Sequence, residues 1–473
     1  MYTIRKLGFY LSVALMLSGC AARRYQPVPI VPTQTASTLQ TRSLGDPGLH
    51  AFVEKNVGHG VTPWPPKAWD SAALSLAALY FSPALDAARA RVAESQAAIV
   101  TAGARPNPSL GITPGIPSPY LFNLDFSVPI ETAGKRGHRI RVARSLHEAA
   151  RFDLADSAWK VRSAVRLALL NYILTSRSLD LLRSQEQIRG DQVNTLEQRL
   201  SVGEIPRTEV DLARIELSKT HLAINTAEGQ IGETMAALAA SIGIPVAGLQ
   251  GLDLLWRDLD SPPSAQSLSP TEIQRNAVLN RLDIRRSLAQ YAAAEGDLQL
   301  EISKQYPDFQ IGPGYTYEER NNFFVIGLST TLPIFNRNQG PIAESEARRK
   351  EAAASFVEKQ AQVIAGVERA LALYTAALKE LAEVDQSLRK LQDNQLRMMQ
   401  QAVRLGEEDR LSLNGVQIQN SVLAQARLDA LRRAQGALGE LEDAVQRPLD
   451  PSDAFSINPE SPTLSKLPKE SNP

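Results

Sequence analysis

Proline placement constrains this chain more than any other feature. Of its 29 prolines, only Pro206 lies between Pro129 and Pro245, and none lies between Pro341 and Pro448. A proline in a helix interior costs about 3 kcal/mol, so both windows are free to form long helix around a single turn. His138 to Val202 is 65 residues with one internal glycine, Gly190, or about 98 Å of helix. Most helices in globular cores run only ~3–4 turns, so one this long needs a partner along its whole length. Tyr172, Leu179, Val193 and Leu200 fall at multiples of seven, with Leu182 and Leu196 between them. That is coiled-coil spacing, interrupted at Glu186 and Arg189. Gly203-Glu204-Ile205-Pro206 reads as a turn, and a return helix is expected from about Arg207 to Ser241.

Each helical window is entered from an alternating segment. Phe122, Leu124, Phe126 and Val128 alternate with Asn123, Asp125 and Ser127; then come Pro129 and the glycines Gly134 and Gly137. About 202–204 residues later, Phe324, Ile326 and Leu328 alternate with Val325, Gly327 and Ser329, followed by Pro333 and Gly340-Pro341. Pro129 and Pro333 are read as the strand-to-helix breaks. Ala168 to Tyr172 matches Ala370 to Tyr374, and Gly203 matches Gly406. Near-constant offsets of this kind mark a tandem duplication.

Residues 70–242 therefore form a first repeat and 270–447 a second, joined by a linker over 243–269. Each repeat should hold a leading helix, two strands and a helical hairpin. In the first, helices are expected from Trp69-Asp70 to about Leu79 and, with Ser82 as cap and Pro83 at the first position, to about Ala104. Strands follow at about 107–115 and 120–130, around the turn Pro114 to Pro119. In the second, one leading helix is expected from Thr271 to Gln305. Its strands flank a polar loop at Glu318 to Asn322, and its helices run from Ile342 to Leu405 and from Leu411 to Gln446.

The ends of the chain read differently. Arg5 and Lys6 precede an apolar stretch, Leu7 to Leu17, too short to span a bilayer. Leu17-Ser18-Gly19-Cys20 resembles a bacterial lipobox, which makes 1–19 a signal peptide and Cys20 the lipidated residue. Several acyl chains hold a protein on a membrane for long times. Ala21 after the cysteine resembles outer-membrane sorting. Residues 20–69, rich in proline, read as an extended lipid-anchored tether, and 448–473 as a disordered tail.

Cys20 is the sole cysteine, so no disulfide forms within one chain. Lys+Arg and Asp+Glu are both 51, which gives no electrostatic case for nucleic acid. The histidines His50, His59, His138, His147 and His221 show no metal-ligand spacing, and Met398-Met399 reads as core or seam packing. No nucleophile elbow, phosphate loop or supported carboxylate pair is present. The chain reads as a non-enzyme without cofactor or metal site.

An 11-residue alternating strand matches the ~9–11 residues that cross a bilayer at a tilt. Four such strands cannot close a barrel, and an open edge in lipid leaves backbone groups unsatisfied. Three copies would supply twelve strands, within the usual range. The polar faces, with Asn123, Asp125, Ser127, Gln310, Thr316 and Ser329, would then line the lumen. Tyr315, Tyr317, Phe323 and Phe324 would suit an interfacial girdle. Glu407, Glu408 and Asp409 at the second tip would ring a periplasmic mouth, or serve only as favourable charges at a helix start.

Several motifs together resemble the TolC-type outer-membrane efflux proteins, especially their CzcC-like cation-efflux branch. They are Arg105-Pro106-Asn107-Pro108, Val128-Pro129-Ile130-Glu131 with Gly134-Lys135-Arg136, and Leu332-Pro333-Ile334-Phe335 with Arg337-Asn338-Gln339-Gly340. The resemblance covers about residues 65–447. It implies a mainly α chain with transmembrane β: a trimeric 12-stranded barrel on an α-helical periplasmic tunnel. It also implies a homotrimer in outer-membrane lipid that works with a periplasmic adaptor and an inner-membrane proton-driven pump. The adaptor would meet the hairpin tips at Val202, Gly203, Glu204 and Leu405, Gly406, Glu407. Family tips often read Val-Gly-Leu, and these do not. Some members narrow the tunnel with aspartates where Ser412 and Gly415 stand here.

The resulting expectation is a passive exit duct for heavy-metal cations. The same duct for drugs or organic solutes is one alternative. A lipid-anchored periplasmic coiled-coil scaffold without a pore is the other, and the Asn123/Asp125/Ser127 face argues against it.

Overall fold

The computed structural model describes residues 25–115 and 121–449. Cys20, the turn beyond Gly115 and the tail from residue 450 lie outside the described residues. The chain divides into two units, one ending at Arg42 and one beginning at Ser43. In the first, Pro32–Gln40 (α1) is a helix with no buried residue.

The second unit runs α2 (Pro47–Val57), β1 (Ala68–Trp69), α3 (Ser71–Phe81), α4 (Pro83–Ala102), β2 (Ser109–Gly115), β3 (Leu121–Ile130), α5 (Lys135–Ser201), α6 (Arg207–Ile242), β4 (Asp253–Leu254), α7 (Pro270–Asn280), α8 (Leu282–Ser303), β5 (Phe309–Glu318), β6 (Asn321–Thr330), α9 (Gln339–Glu383), α10 (Arg389–Leu405) and α11 (Arg410–Val445). No single helix among the described residues is long and apolar enough to cross a membrane.

The reading of 20–69 as extended tether is corrected: Pro32–Gln40 is helical, and the chain from Ser43 onward belongs to the second unit. Asp46 caps α2 by accepting the backbone N–H groups of Gly48 and Leu49, with Pro47 in the first turn. Leu49, Phe52 and Val53, at i, i+3 and i+4, bury in the main core with Leu44, Trp69 and Leu85. Proline-rich composition hid a short amphipathic helix. The linker is also pinned: β1 pairs in parallel with β4, and Leu249 and Leu259 are buried.

α5 is 67 residues long, and its heptad seam packs onto α6. Leu179 buries with Ile224 and Ala227, and nearer the tip Val193 and Leu196 bury with Val210 and Ala213. The two polar interruptions pair across the hairpin: Arg189 with Glu216 at 3.4 Å and Glu186 with His221 at 2.9 Å. They replace apolar packing with an ion pair at one level and a polar contact at the other.

Two helices differ from expectation. The leading helix of the second repeat breaks at Arg281, whose guanidinium holds Asp283 at 2.9 Å and the carbonyl of Asp443 at 3.1 Å. The Leu282 N–H donates to Gln446 Oε1 at 2.7 Å. The end of α11 thus takes over backbone and side-chain bonds at the break, as α3 and α4 are separated at Ser82. The second descending helix is interrupted by a π-helical turn, Val384–Leu388. Such turns insert where a side chain or tertiary contact forces an extra residue into the coil. Here Arg427 of α11 hydrogen-bonds Asp385 within the turn and reaches Asp260 of the linker at 3.0 Å.

β2, β3, β5 and β6 form one antiparallel sheet in that order. The inner pair, β3 and β5, joins the two repeats. The polar loop between β5 and β6 is tighter than expected: Glu319 and Arg320 alone turn the chain, both at positive φ, as a two-residue hairpin requires.

Candidate functional site

Cross-strand partners share a face, so the register sorts every strand residue. Asp125 lies opposite Gly111 of β2 and Gly314 of β5. Asn123 lies opposite Thr113 and Thr316, and Gln310 opposite Ser329. All six residues proposed for a lumen therefore fall on one face. Thr316 Oγ1 donates to Asn123 Oδ1 at 3.1 Å, Asn123 Nδ2 donates to Asp125 Oδ2 at 2.8 Å, and Ser127 Oγ donates to Gln310 Oε1 at 3.2 Å. The other face carries Leu110, Ile112, Phe122, Phe126, Phe324 and Ile326, all exposed. The girdle residues divide: Tyr315, Tyr317 and Phe324 lie on this apolar face, but Phe323 lies opposite Thr316 on the polar one. One residue along a strand reverses the face, and adjacent phenylalanines cannot share one.

The prolines also behave differently from expectation. Pro129 does not break β3; it sits inside the strand opposite Gln310. β2 pairing stops at Ser127, so that flank has no ladder to lose, the setting in which strands tolerate proline. Pro333 lies three residues past the end of β6, and Asn338 in the left-handed region precedes α9. Pro313 sits in an inner strand, which sequence reasoning did not anticipate. Pairing between β3 and β5 lapses there at Phe126-Ser127. A Cβ on neighbouring Gly312 would fall 1.5 Å from the Phe126 carbonyl oxygen, so only glycine fits that approach.

A polar clasp joins the sheet to the helices. Lys135, buried, donates its Nζ to Asp308 at 2.6 Å and to the Tyr306 carbonyl at 2.7 Å. Thr132 N–H adds a bond to the same carboxylate at 2.8 Å. Burial pushes the Asp308 carboxyl up, but Lys135 and Thr132 outweigh it and hold it below its ordinary value. Arg139 forks onto Glu131 and takes the Ala102 carbonyl, while Arg136 takes Gly103. The Glu131 hydrogen bond raises Arg139 further. In the second repeat, Asn338 bonds both the carbonyl and carboxylate of Glu301 at 2.8 Å. The Gly134-Lys135-Arg136 and Arg337-Asn338 motifs thus position the exits from the strands. Only their long-range partners reveal this.

The two tips end their helices identically. Gly203 and Gly406 are left-handed, and the next N–H reaches back five residues: Glu204 to Arg199 at 3.0 Å, Glu407 to Ala402 at 2.9 Å. This is a Schellman cap, with Val202 and Leu405 just before it and both exposed. Of the acids at the second tip, Glu407 and Glu408 are exposed. Asp409 is engaged: it caps α11 through Ser412 N–H at 2.7 Å and pairs with Arg199 of the first hairpin at 2.8 Å. The backbone N–H of Ser412 and then Arg199 hold its carboxyl below the usual value. Met398 is 72 % exposed, not packed in a core. No group of three or more His, Cys, Asp or Glu able to hold a metal occurs among the described residues.

Residues 74–244 match the profile of the outer membrane efflux protein family. Over those residues the chain is similar to the outer membrane efflux proteins. It is 28 % identical to the cobalt-zinc-cadmium resistance protein CzcC of Cupriavidus metallidurans over 57 % of this chain and 64 % of that one, just under two thirds of the relative's length. It is 26 % identical to the pyoverdine export outer membrane protein OpmQ of Pseudomonas aeruginosa, over 62 % and 68 %. The fold matches the outer-membrane channel OprN with a TM-score of 0.65, covering 90 % of this chain and 98 % of that one at 16 % identity. The resemblance to outer-membrane efflux proteins is therefore shown by sequence, and the likeness to OprN shows the fold. It also fits the non-enzymatic reading.

Proposed function

We propose that the chain is the outer-membrane channel of a tripartite efflux system, a passive exit duct for heavy-metal cations. The observation that carries this is the sheet. It has one apolar and one polar face, and its outer strands β2 and β6 run antiparallel with a free edge each. In lipid a free edge must be paired. β6 of one copy can pair with β2 of the next in the same up-and-down sense, and three copies close twelve strands. Phe122, Leu124 and Phe126 then face lipid, and the helical hairpins line a periplasmic tunnel toward an adaptor and an inner-membrane pump.

Metal cations as cargo rest on the likeness to CzcC. The likeness to a pyoverdine exporter supports organic solutes as a second reading. Deleting the chain should sensitise its host to cobalt, zinc and cadmium, with restoration by the intact chain. Unchanged metal tolerance together with lost export of an organic solute would favour the second reading. In detergent the protein should have the mass of three chains. Cysteine scanning over 121–128 with an impermeant reagent should alternate with period two, and uniform labelling would overturn the barrel.

A further inference from the structure

We propose that Asp125 is the charge-selecting group of the strand-lined passage, favouring cations over anions well away from the hairpin tips. The inference rests on the channel reading above and adds a selecting residue to it.

Only two charged residues occur on the four strands as described, Asp125 and Glu318. Both lie on the polar face by register. Glu318 closes β5 beside the Glu319-Arg320 turn, where an arginine accompanies it. Asp125 is fifth of ten residues in β3, midway along the strand. Its carboxylate is exposed, and two features keep it so. The Thr316–Asn123–Asp125 chain of hydrogen bonds fixes Oδ2 and leaves Oδ1 without a hydrogen-bond donor among the bonds described. Both cross-strand neighbours are glycine. A Cβ at Gly314 would meet Val325 Cγ2 of β6 at 2.8 Å and stand 3.4 Å from Oδ1, and one at Gly111 would stand 3.8 Å from Oδ2. Any side chain at either position would start to cover the carboxylate, so the glycine floor leaves it open to the passage.

Twelve strands spaced ~4.8 Å apart and tilted ~40° enclose a backbone radius of about 12 Å. Three side chains reaching inward bring their charges to within about one Debye length of the axis at physiological salt, ~8 Å. Rings of aspartate or glutamate favour cations in this way. The effect must fade with salt, since the screening length is only ~3 Å at 1 M.

A local probe tests this without interference from the narrower tips. Ser127→Cys, two residues along the same face, is introduced into the full chain in outer-membrane vesicles. It is reacted with a cationic and an anionic methanethiosulfonate, and the chain without the reporter sets the background. The ratio of cationic to anionic rates should fall about fivefold in Asp125→Asn at ~0.01 M salt, because a unit charge ~7–8 Å away in water acts oppositely on the two reagents. At 1 M the two backgrounds should converge. An equal ratio in both at low salt, with the trimer intact, overturns the inference alone. Labelling of Leu124→Cys but not Ser127→Cys places the polar face away from water and overturns the channel reading and the inference together.

Discussion

The two hairpins follow corresponding strand pairs in the two halves of the chain, yet they are built to different degrees of completeness. The first is continuous along α5 and carries buried apolar residues almost to its tip, at Val193, Leu196, Val210 and Ala213. Charge pairs such as Arg214–Glu197 and Arg183–Glu228 flank the seam. The second is interrupted by the π-turn, and α10 below it buries no residue in the single chain. Leu391, Met398 and Leu405 repeat every seven residues and stay 68 %, 72 % and 64 % exposed. One hairpin satisfies its own seam; the other carries a coiled-coil stripe that its own chain leaves uncovered. In the trimer proposed above, neighbouring hairpins would supply that cover.

The sharpest way to break the comparison is a matched truncation. Leu196→Ala should cost about 2–4 kcal/mol in urea unfolding of the single chain before it assembles, because it empties a buried position. Met398→Ala in the same state should stay within about 0.5 kcal/mol. Equal losses would mean the second seam is already packed. Next in size, Arg427→Ala should cost about 1–2 kcal/mol, since Asp385 in the π-turn loses its hydrogen-bond donor and Asp260 in the linker keeps only Arg177. Amide exchange should then accelerate over 384–405 and not over 190–215. Uniform acceleration would show that the π-turn is no boundary.

The smallest expected effect is at the join between the tips. The Asp409 carboxyl is depressed, so its contribution is complete above its unfolded value of about 3.9 and is lost as pH falls through the lower folded value. Proximity of the two tips, read by spin labels at Ser201 and Glu408, should hold at pH 5–8 and relax only below about pH 4. In Arg199→Ala the tips should already be looser at neutral pH. The change should be below about 1 kcal/mol, since both partners are partly exposed.

Much of this architecture was legible because its signals are local. Proline-free windows located the long helices to within a few residues, and alternation in 122–128 placed Asn123, Asp125 and Ser127 on the face opposite Phe122, Leu124 and Phe126. What stayed hidden depends on distant partners. Lys135 reads as one base of a short motif until Asp308, 173 residues away, is brought against it. The π-turn has no composition cue; it needs Arg427 from another helix. The break at Arg281 needs Gln446. Residue type alone groups Phe323 with Phe324, and strand geometry separates them.

The pairing of β3 with β5 also imposes an order of events. Their partners lie roughly 180–200 residues apart in the chain. At ~5–20 residues per second of synthesis, β3 waits about 10–40 s for its neighbour to be made. During that interval the β2–β3 hairpin is an amphipathic ribbon with an apolar face and two open edges, the kind of segment that joins other chains indiscriminately. Long-range pairing of this sort is slow even once both strands exist. A chain with this topology is therefore aggregation-prone before its second half is made, and its yield should depend on holdase chaperones more than on the stability of the finished fold.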